Sequence, residues 1–308
     1  MTPALSFVVV TDTAATIGEV LAALRRQTVR KRIELVVVCR NKRELGLADA
    51  DVEEMVAVRL VEVGEIAPLH EASAAGVRVA TAPIVVIGET HAFPEPDTLE
   101  IMLRSFEDAR VAALAPGLSN ANPGAASWGS LMVTYGAALG SDARESETIS
   151  THNAAVRREL LVAFGDELPF RLTLGGALGE TLRRDGHRLL YEPRALFAHV
   201  NVVPLRSCFL DRFHGSRCYA SGRARGWGLG RRALRVAGAP LVPGILGWRI
   251  AHSPGWEQHR REFGWRVWPS IAVSVVAMAV GEAAAYALGA GRSFERVVEY
   301  EVHRERHV

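Results

Sequence analysis

Residues 84–94 read Ile84-Val85-Val86-Ile87-Gly88-Glu89-Thr90-His91-Ala92-Phe93-Pro94. The first four predict a strand covered on both faces, because continuous rather than alternating apolar character is what the inner strands of a parallel sheet require. The run stops at Gly88, which is expected to free the backbone, and an acid and an imidazole follow. Glu89 and His91 are two residues apart, so in an extended segment their side chains project to the same side. Open α/β sheets take their ligands in the crevice beyond the carboxyl ends of the strands. A metal-capable pair is expected there, against the plainer reading of a loop with one acid and one solvated histidine.

Outward from this strand, apolar runs alternate with helical patterns. Residues 5–10 form a β-branched run ending at Thr11-Asp12-Thr13, after which Ile17, Val20, Leu21 and Leu24 recur at helical spacing as far as Gln27-Thr28. Residues 33–38 and 56–63 predict two further strands, and residues 71–80 a helix. Strands alternating with helices predict an α/β fold with a mostly parallel sheet flanked by helices. Neither a glycine fingerprint for a dinucleotide nor a Walker loop follows any of these strands.

At 308 residues and 49% apolar composition, the chain has room for one large domain and an appendage. Its three cysteines, Cys39, Cys208 and Cys218, are scattered and lack metal-ligand spacing, which fits a reducing compartment. The start of the sequence enters a strand pattern at once rather than a basic and then apolar leader, so a protein that is not secreted is expected.

The order of these pieces resembles a family-2 glycosyltransferase of the GT-A fold. A strand-loop-helix opening that ends in Gln-Thr leads to an acidic metal motif after the fourth strand, here Gly88-Glu89-Thr90-His91. Thr151-His152-Asn153-Ala154-Ala155-Val156-Arg157-Arg158 is similar to the family's Gly-x-Asn-x-x-x-Arg-Arg, and Phe164-Gly165-Asp166-Glu167 follows. The resemblance closes at residues 185–199, from Asp185-Gly186 through Glu192-Pro193-Arg194-Ala195 to His199, and so covers about residues 4–200.

The resemblance implies a divalent cation held by Glu89, His91 and His199, since Glu89-Thr90-His91 stands where the family carries Asp-x-Asp or Asp-x-His. Imidazole ligands favour Mn²⁺ over Mg²⁺. Thr11 and Asp12 are implied to line the nucleotide of the donor, a UDP-sugar, with Asp12 able to accept from a ring nitrogen of the base. Two departures stand out. No acid closes the second strand, where Cys39-Arg40-Asn41 is found, and Leu174-Gly175-Gly176 occupies the place of the family's Glu-Asp pair, which supplies the general base. Glu180, Asp166 and Glu167 are the candidate replacements; their plainer readings are a solvated helix face for Glu180 and loop residues for the other two.

Beyond His199 the composition changes. Arginines outnumber acids over residues 206–266 and are interleaved with Trp227, Trp248, Trp256 and Trp265. That pattern fits a membrane interface facing anionic lipid, and nucleic acid is disfavoured as a partner because the next segment, residues 269–291, is so apolar. Glu282 is its one charge. Residues 269–291 read as a spanning helix, an interfacial helix or a soluble core helix. The expected organisation is a GT-A-like domain over residues 1–203 and a helical, membrane-associated region over 204–308. The expected protein transfers a sugar to a lipid-linked or glycan acceptor at the cytoplasmic face of the cell membrane. The competing expectation is a non-catalytic, membrane-associated partner of the same fold.

Overall fold

The computed structural model describes residues 2–173 and 175–308, with nothing said of the side chains of residues 175–177. Two compact units emerge, Met1–Ser119 with Asp142–His199, and Asn120–Ser141 with Val200–Val308. The second unit therefore takes in a segment lying well before residue 204.

The first unit is built on one nine-stranded sheet, ordered β3-β2-β1-β4-β8-β6-β9-β5, with β7 beside β9. Strands β1 (Leu5–Thr11), β2 (Ile33–Cys39), β3 (Ala57–Glu62) and β4 (Ile84–Ile87) are mutually parallel, linked through α1 (Gly18–Arg25) and α2 (Leu69–Val79). The other half is antiparallel: β5 (Ala92–Pro94), then α3 (Thr98–Ser105), β6 (Val111–Asn120), β7 (Arg144–Glu145), β8 (Ala155–Arg157) and β9 (Arg188–His199). The fold is α/β with a mixed sheet. Helix α4 (Ala125–Tyr135) falls in the second unit; α5 (Arg158–Val162), α6 (Leu168–Thr173) and α7 (Gly175–Arg184) lie between β8 and β9. Every residue of β1, β2 and β4 is buried, as a strand covered on both faces must be.

One buried acid ties the parallel half together. The register sets Ser6 of β1 beside Glu34 of β2. Ser6 Oγ donates to Glu34, as do the Thr81 amide and hydroxyl, both at 2.7 Å, and Arg59 Nε from β3. Burial pushes the Glu34 carboxyl up, but these donors together pull it down to about 2. A carboxyl depressed in the folded state stabilises above its unfolded value, and that contribution disappears as pH falls through the folded one. From the ordinary 4.5 to about 2, the difference is worth about 3 kcal/mol at neutral pH. Glu34→Gln, which removes the charge and turns an amide NH₂ toward two of the four donors, should lower the melting temperature at pH 7 by about 6–12 °C. The gap from the native protein should close as pH falls from about 4.5 toward 2; a gap independent of pH would refute this account.

The second unit is helical, with α8 (Leu205–Arg223), α9 (Leu229–Gly238), α10 (Val242–Ala251), α11 (Pro254–Phe263), α12 (Trp268–Leu288) and α13 (Ser293–Val302) joining α4. The run Pro254–Leu288 is long and apolar enough to cross a membrane by length and composition. Within the unit α12 is the central helix, packed by α8, α4, α10 and α9. Gly281 is what lets α8 approach so closely, since a Cβ there would strike the Phe213 carbonyl. Glu282 is paired: Arg223 Nη2 of α8 reaches it at 3.0 Å and the Tyr286 hydroxyl at 3.2 Å, while Trp227 stacks on Tyr286.

Candidate metal and nucleotide site

Strand β4 ends at Ile87, and residues 88–91 form a short turn before β5 rather than an extended segment. Convergence of Glu89 and His91 comes from this turn. Gly88 has a different role from the one its position suggests. Its backbone is outside the left-handed region, and a Cβ would collide with the Phe7 ring of the neighbouring strand. Glycine is needed for close packing that seats the turn against β1, whose Val8 carbonyl accepts from Gly88 N at 2.8 Å. Gly88→Ala should cost about 1–3 kcal/mol through overpacking, seen as a lower thermal midpoint; an unchanged midpoint would contradict this packing.

The turn's exit is fixed from two sides. Gln27, fully buried, donates to the carbonyls of Pro94 and Glu95 at 3.2 and 2.7 Å and accepts from Leu99 N at 3.1 Å. Antiparallel pairing of β5 with β9 sets Ala92 opposite His199. His199 is thus carried to the residue next to His91 by sheet register, across more than a hundred positions of sequence.

The result is a buried cluster at the carboxyl end of β4. Glu89, His91 and His199 are 8%, 3% and 4% exposed. His91 Nε2 lies 3.7 Å from one Glu89 oxygen and His199 Nε2 3.7 Å from the other, with the imidazoles edge-to-face at 4.9 Å. The ligand atoms of all three lie within 4.8 Å of one another. Atoms bound about 2.1 Å from one shared ion sit roughly 3–4 Å apart, so little movement would close the set on a cation. Glu89 Oε1 is buried and faces His152 Nδ1 at 2.8 Å. A buried carboxylate facing the nitrogens of three imidazoles fits a divalent metal. Burial alone would raise the Glu89 carboxyl, but the imidazoles of His152, His91 and His199 outweigh it and hold the group well below its usual range, in its anionic form.

Asn153 grips the acid from the opposite side. It adopts φ 56°, a left-handed conformation that asparagine tolerates better than most residues. Its Oδ1 accepts from Glu89 N at 3.3 Å, and its Nδ2 donates to Glu89 Oε2. Neither His152 nor Asn153 carries a role in the sequence reading beyond matching a family pattern; the signal was their place just before β8, which pairs antiparallel with β4 and so begins at its carboxyl end. The adjacent arginines are structural: Arg157 donates to the carbonyls of Val111, Phe106 and Asp108, and Arg158 to that of Arg78.

Thr11 and Asp12 stand at the carboxyl end of β1, the strand beside β4. The Thr11 hydroxyl donates to the Thr13 carbonyl at 2.8 Å, and Asp12 accepts from the Thr16 hydroxyl at 3.2 Å. Both brace the loop between β1 and α1. Glu180 is exposed on α7. Asp166 and Glu167 are exposed in the turn Gly165–Glu167. Arg78, at the end of α2 that leads into β4, donates to the Gly165 carbonyl at 3.2 Å. That turn therefore lies by the amino end of β4, away from Glu89. Of Leu174-Gly175-Gly176, Leu174 lies outside the described residues and the two glycines open α7. The three thiols are free and buried, and burial pushes Cys208 to about 11 and Cys218 to about 12, well above the range of a reactive thiolate at neutral pH.

No protein-family model matches the chain, and no curated protein matches it. Solved structures do. A crystal structure of S. aureus TarS 1-349 in complex with UDP is similar over 92% of this chain and 91% of that one, at 13% identity and a TM-score of 0.46. A second TarS 1-349 structure gives 12% identity and 0.48 over the same shares, 92% and 91%. GalNAc-T7 with UDP, GalNAc and Mn²⁺ is similar over 64% of this chain and 43% of its own, at 15% identity and 0.49. The likeness by itself assigns neither donor nor acceptor to this chain.

Proposed function

We propose that this protein is a metal-dependent glycosyltransferase of the family-2 kind, moving a sugar from a UDP-sugar to a lipid-linked or glycan acceptor at the cytoplasmic face of the membrane. The observation that carries the reading is the Glu89, His91 and His199 cluster, buried at the carboxyl end of β4 with its ligand atoms within 4.8 Å of one another. These three residues would hold the cation. When bound, it supplies positive charge where a diphosphate leaving group becomes more negative. One carboxylate with two imidazoles suits Mn²⁺ or another transition metal better than Mg²⁺.

The chain's own residues have separable roles in this reading. Asn153 and His152 orient Glu89, Gly88 and Gln27 seat the turn that presents it, and Asp12 would accept from the base. Glu180 is the proposed general base for the acceptor hydroxyl, with Asp166 and Glu167 as reserves.

The test is a thermal-shift panel of nucleotide sugars with and without Mn²⁺ on the full-length chain, followed by assay of nucleoside diphosphate release with membranes or glycans as acceptor. A metal-dependent shift with one donor and release of its diphosphate is the expected result. No shift with any nucleotide sugar in the presence of Mn²⁺ would overturn the reading. Binding without release would support the non-catalytic partner that the missing Glu-Asp pair leaves open.

A further inference from the structure

Between Asp211 and Glu257 the chain carries eight arginines and no acid. The second unit displays the apolar residues of this stretch instead of hiding them. Leu241, closing the turn Ala239–Leu241, is 68% exposed, and Ile245 and Trp248 of α10 are 48% and 65% exposed. Their spacing of four and then three residues puts them on one helical face. Arg231, Arg235 and Arg249 are exposed on the same run of helices. Leaving a tryptophan, an isoleucine and a leucine in water along one helix face has an uncompensated cost, whereas isolated exposed apolar residues are ordinary.

Helix α12 narrows what could cover this face. Its chief packing partner is α8, which carries Arg206, Asp211, Arg212, Arg217 and Arg223. An arginine or aspartate at the centre of a spanning helix costs about 2.5–3.5 kcal/mol, so α8 cannot follow α12 into hydrocarbon. Within its unit α12 packs against α8, α4, α10 and α9, while Val276 and Val280 stay exposed.

We propose that the α10 face, Leu241, Ile245 and Trp248, is a monotopic docking surface for an anionic lipid bilayer, with Arg231, Arg235 and Arg249 at headgroup level and no helix crossing the membrane. The charge of the stretch selects the occupant: an acid-free arginine segment complements anionic headgroups, and tryptophan prefers the interfacial depth at which such a helix lies. The proposal deepens the membrane association in the proposed function and is independent of donor chemistry.

The experiment is co-sedimentation of the full-length chain with vesicles of phosphatidylcholine alone or with phosphatidylglycerol, at low and high salt. Binding to the anionic vesicles, weakened by salt and needing neither Mn²⁺ nor a nucleotide sugar, is expected. A Leu241→Ser, Ile245→Ser, Trp248→Ala variant should lose at least ten-fold in partitioning while keeping its Mn²⁺-induced thermal shift. A second variant, Arg231→Gln, Arg235→Gln, Arg249→Gln, should lose roughly five-fold per arginine on anionic vesicles only. Absence of vesicle binding by the native chain would overturn the proposal. So would dimerisation abolished by the apolar variant without any vesicle binding, which would assign the face to a second copy, or membrane retention through an alkaline carbonate wash, which would mark a spanning helix. Failure of donor binding would leave vesicle binding untouched, so the two readings fail separately.

Discussion

His199→Ala should abolish the saturable rise in melting temperature that Mn²⁺ gives the native protein. At a hundred-fold excess over its dissociation constant, a ligand that binds only the folded state stabilises by about 2.7 kcal/mol, or roughly 5–11 °C for a unit of this size. His199 supplies one of three convergent ligand atoms and sits 3.7 Å from Glu89. Its removal leaves a carboxylate and one imidazole, too few to hold the ion against water. Glu89→Gln should act alike on the metal response and also cost some fold stability, because the Asn153 amide and three imidazoles favour its buried carboxylate as the anion. Diphosphate release should fall about 10²–10³-fold in either variant, the scale on which a single electrostatic stabiliser of a transition state is worth. His152→Ala separates holding the acid from holding the metal. Outer residues of this kind typically change affinity 10–100-fold, so it should shift the Mn²⁺ midpoint without erasing the response. Running Zn²⁺ beside Mn²⁺ tests the metal preference. An undiminished Mn²⁺ response in His199→Ala would remove that residue from the site.

What could be read from the sequence, and what could not, divides along physical lines. Strands β1, β2 and β4 are apolar on both faces, so their composition alone marks them. Glu89 and His91 were legible because they interrupt that pattern at a strand end. Joining His199 to them required the antiparallel register of β5 and β9, and the only hint of that long-range pairing was the family order of motifs. Local cues failed where tertiary contact decides. Gly88 reads as a backbone hinge yet serves Phe7 packing, and Glu34 reads as one polar residue in an apolar strand until Ser6, Thr81 and Arg59 appear around it. Helix α4 falls in a stretch with no assigned pattern, since it is buried on most sides by its own unit and lacks a polar face to give a period. For residues 269–291, length and hydropathy are the same for a spanning helix and a core helix, so composition does not separate the two.

If the protein turns over, Glu180→Gln should lower the rate of transfer about 10²–10⁴-fold, the usual worth of general-base assistance. Donor binding should remain nearly intact. Position favours Glu180 over its reserves. The Thr151 hydroxyl donates to the Leu172 carbonyl at 3.3 Å, which sets the end of α6 against the loop that carries His152 and Asn153. Helix α7 starts at Gly175, and Glu180 follows five residues later, about 7.5 Å along the axis. Leu178 and Leu182 bury the inner face of α7, and Glu180 is on its exposed face. Asp166 and Glu167 belong to a turn near the amino end of β4. That strand is four residues long, which places them roughly 13 Å or more from the turn that carries Glu89. Glu167 is also engaged, pairing with Arg171 at 3.4 Å. A base acts only on a proton within hydrogen-bond reach, so geometry ranks the three before acidity does. The diagnostic pattern for Glu180→Gln is a fall in kcat with an unchanged donor-induced thermal shift, since an interaction made only in the transition state lowers turnover without loosening the ground state. Equal loss in Asp166→Asn or Glu167→Gln, with Glu180→Gln silent, would move the base to the Gly165–Glu167 turn and require that turn to approach Glu89 during the reaction.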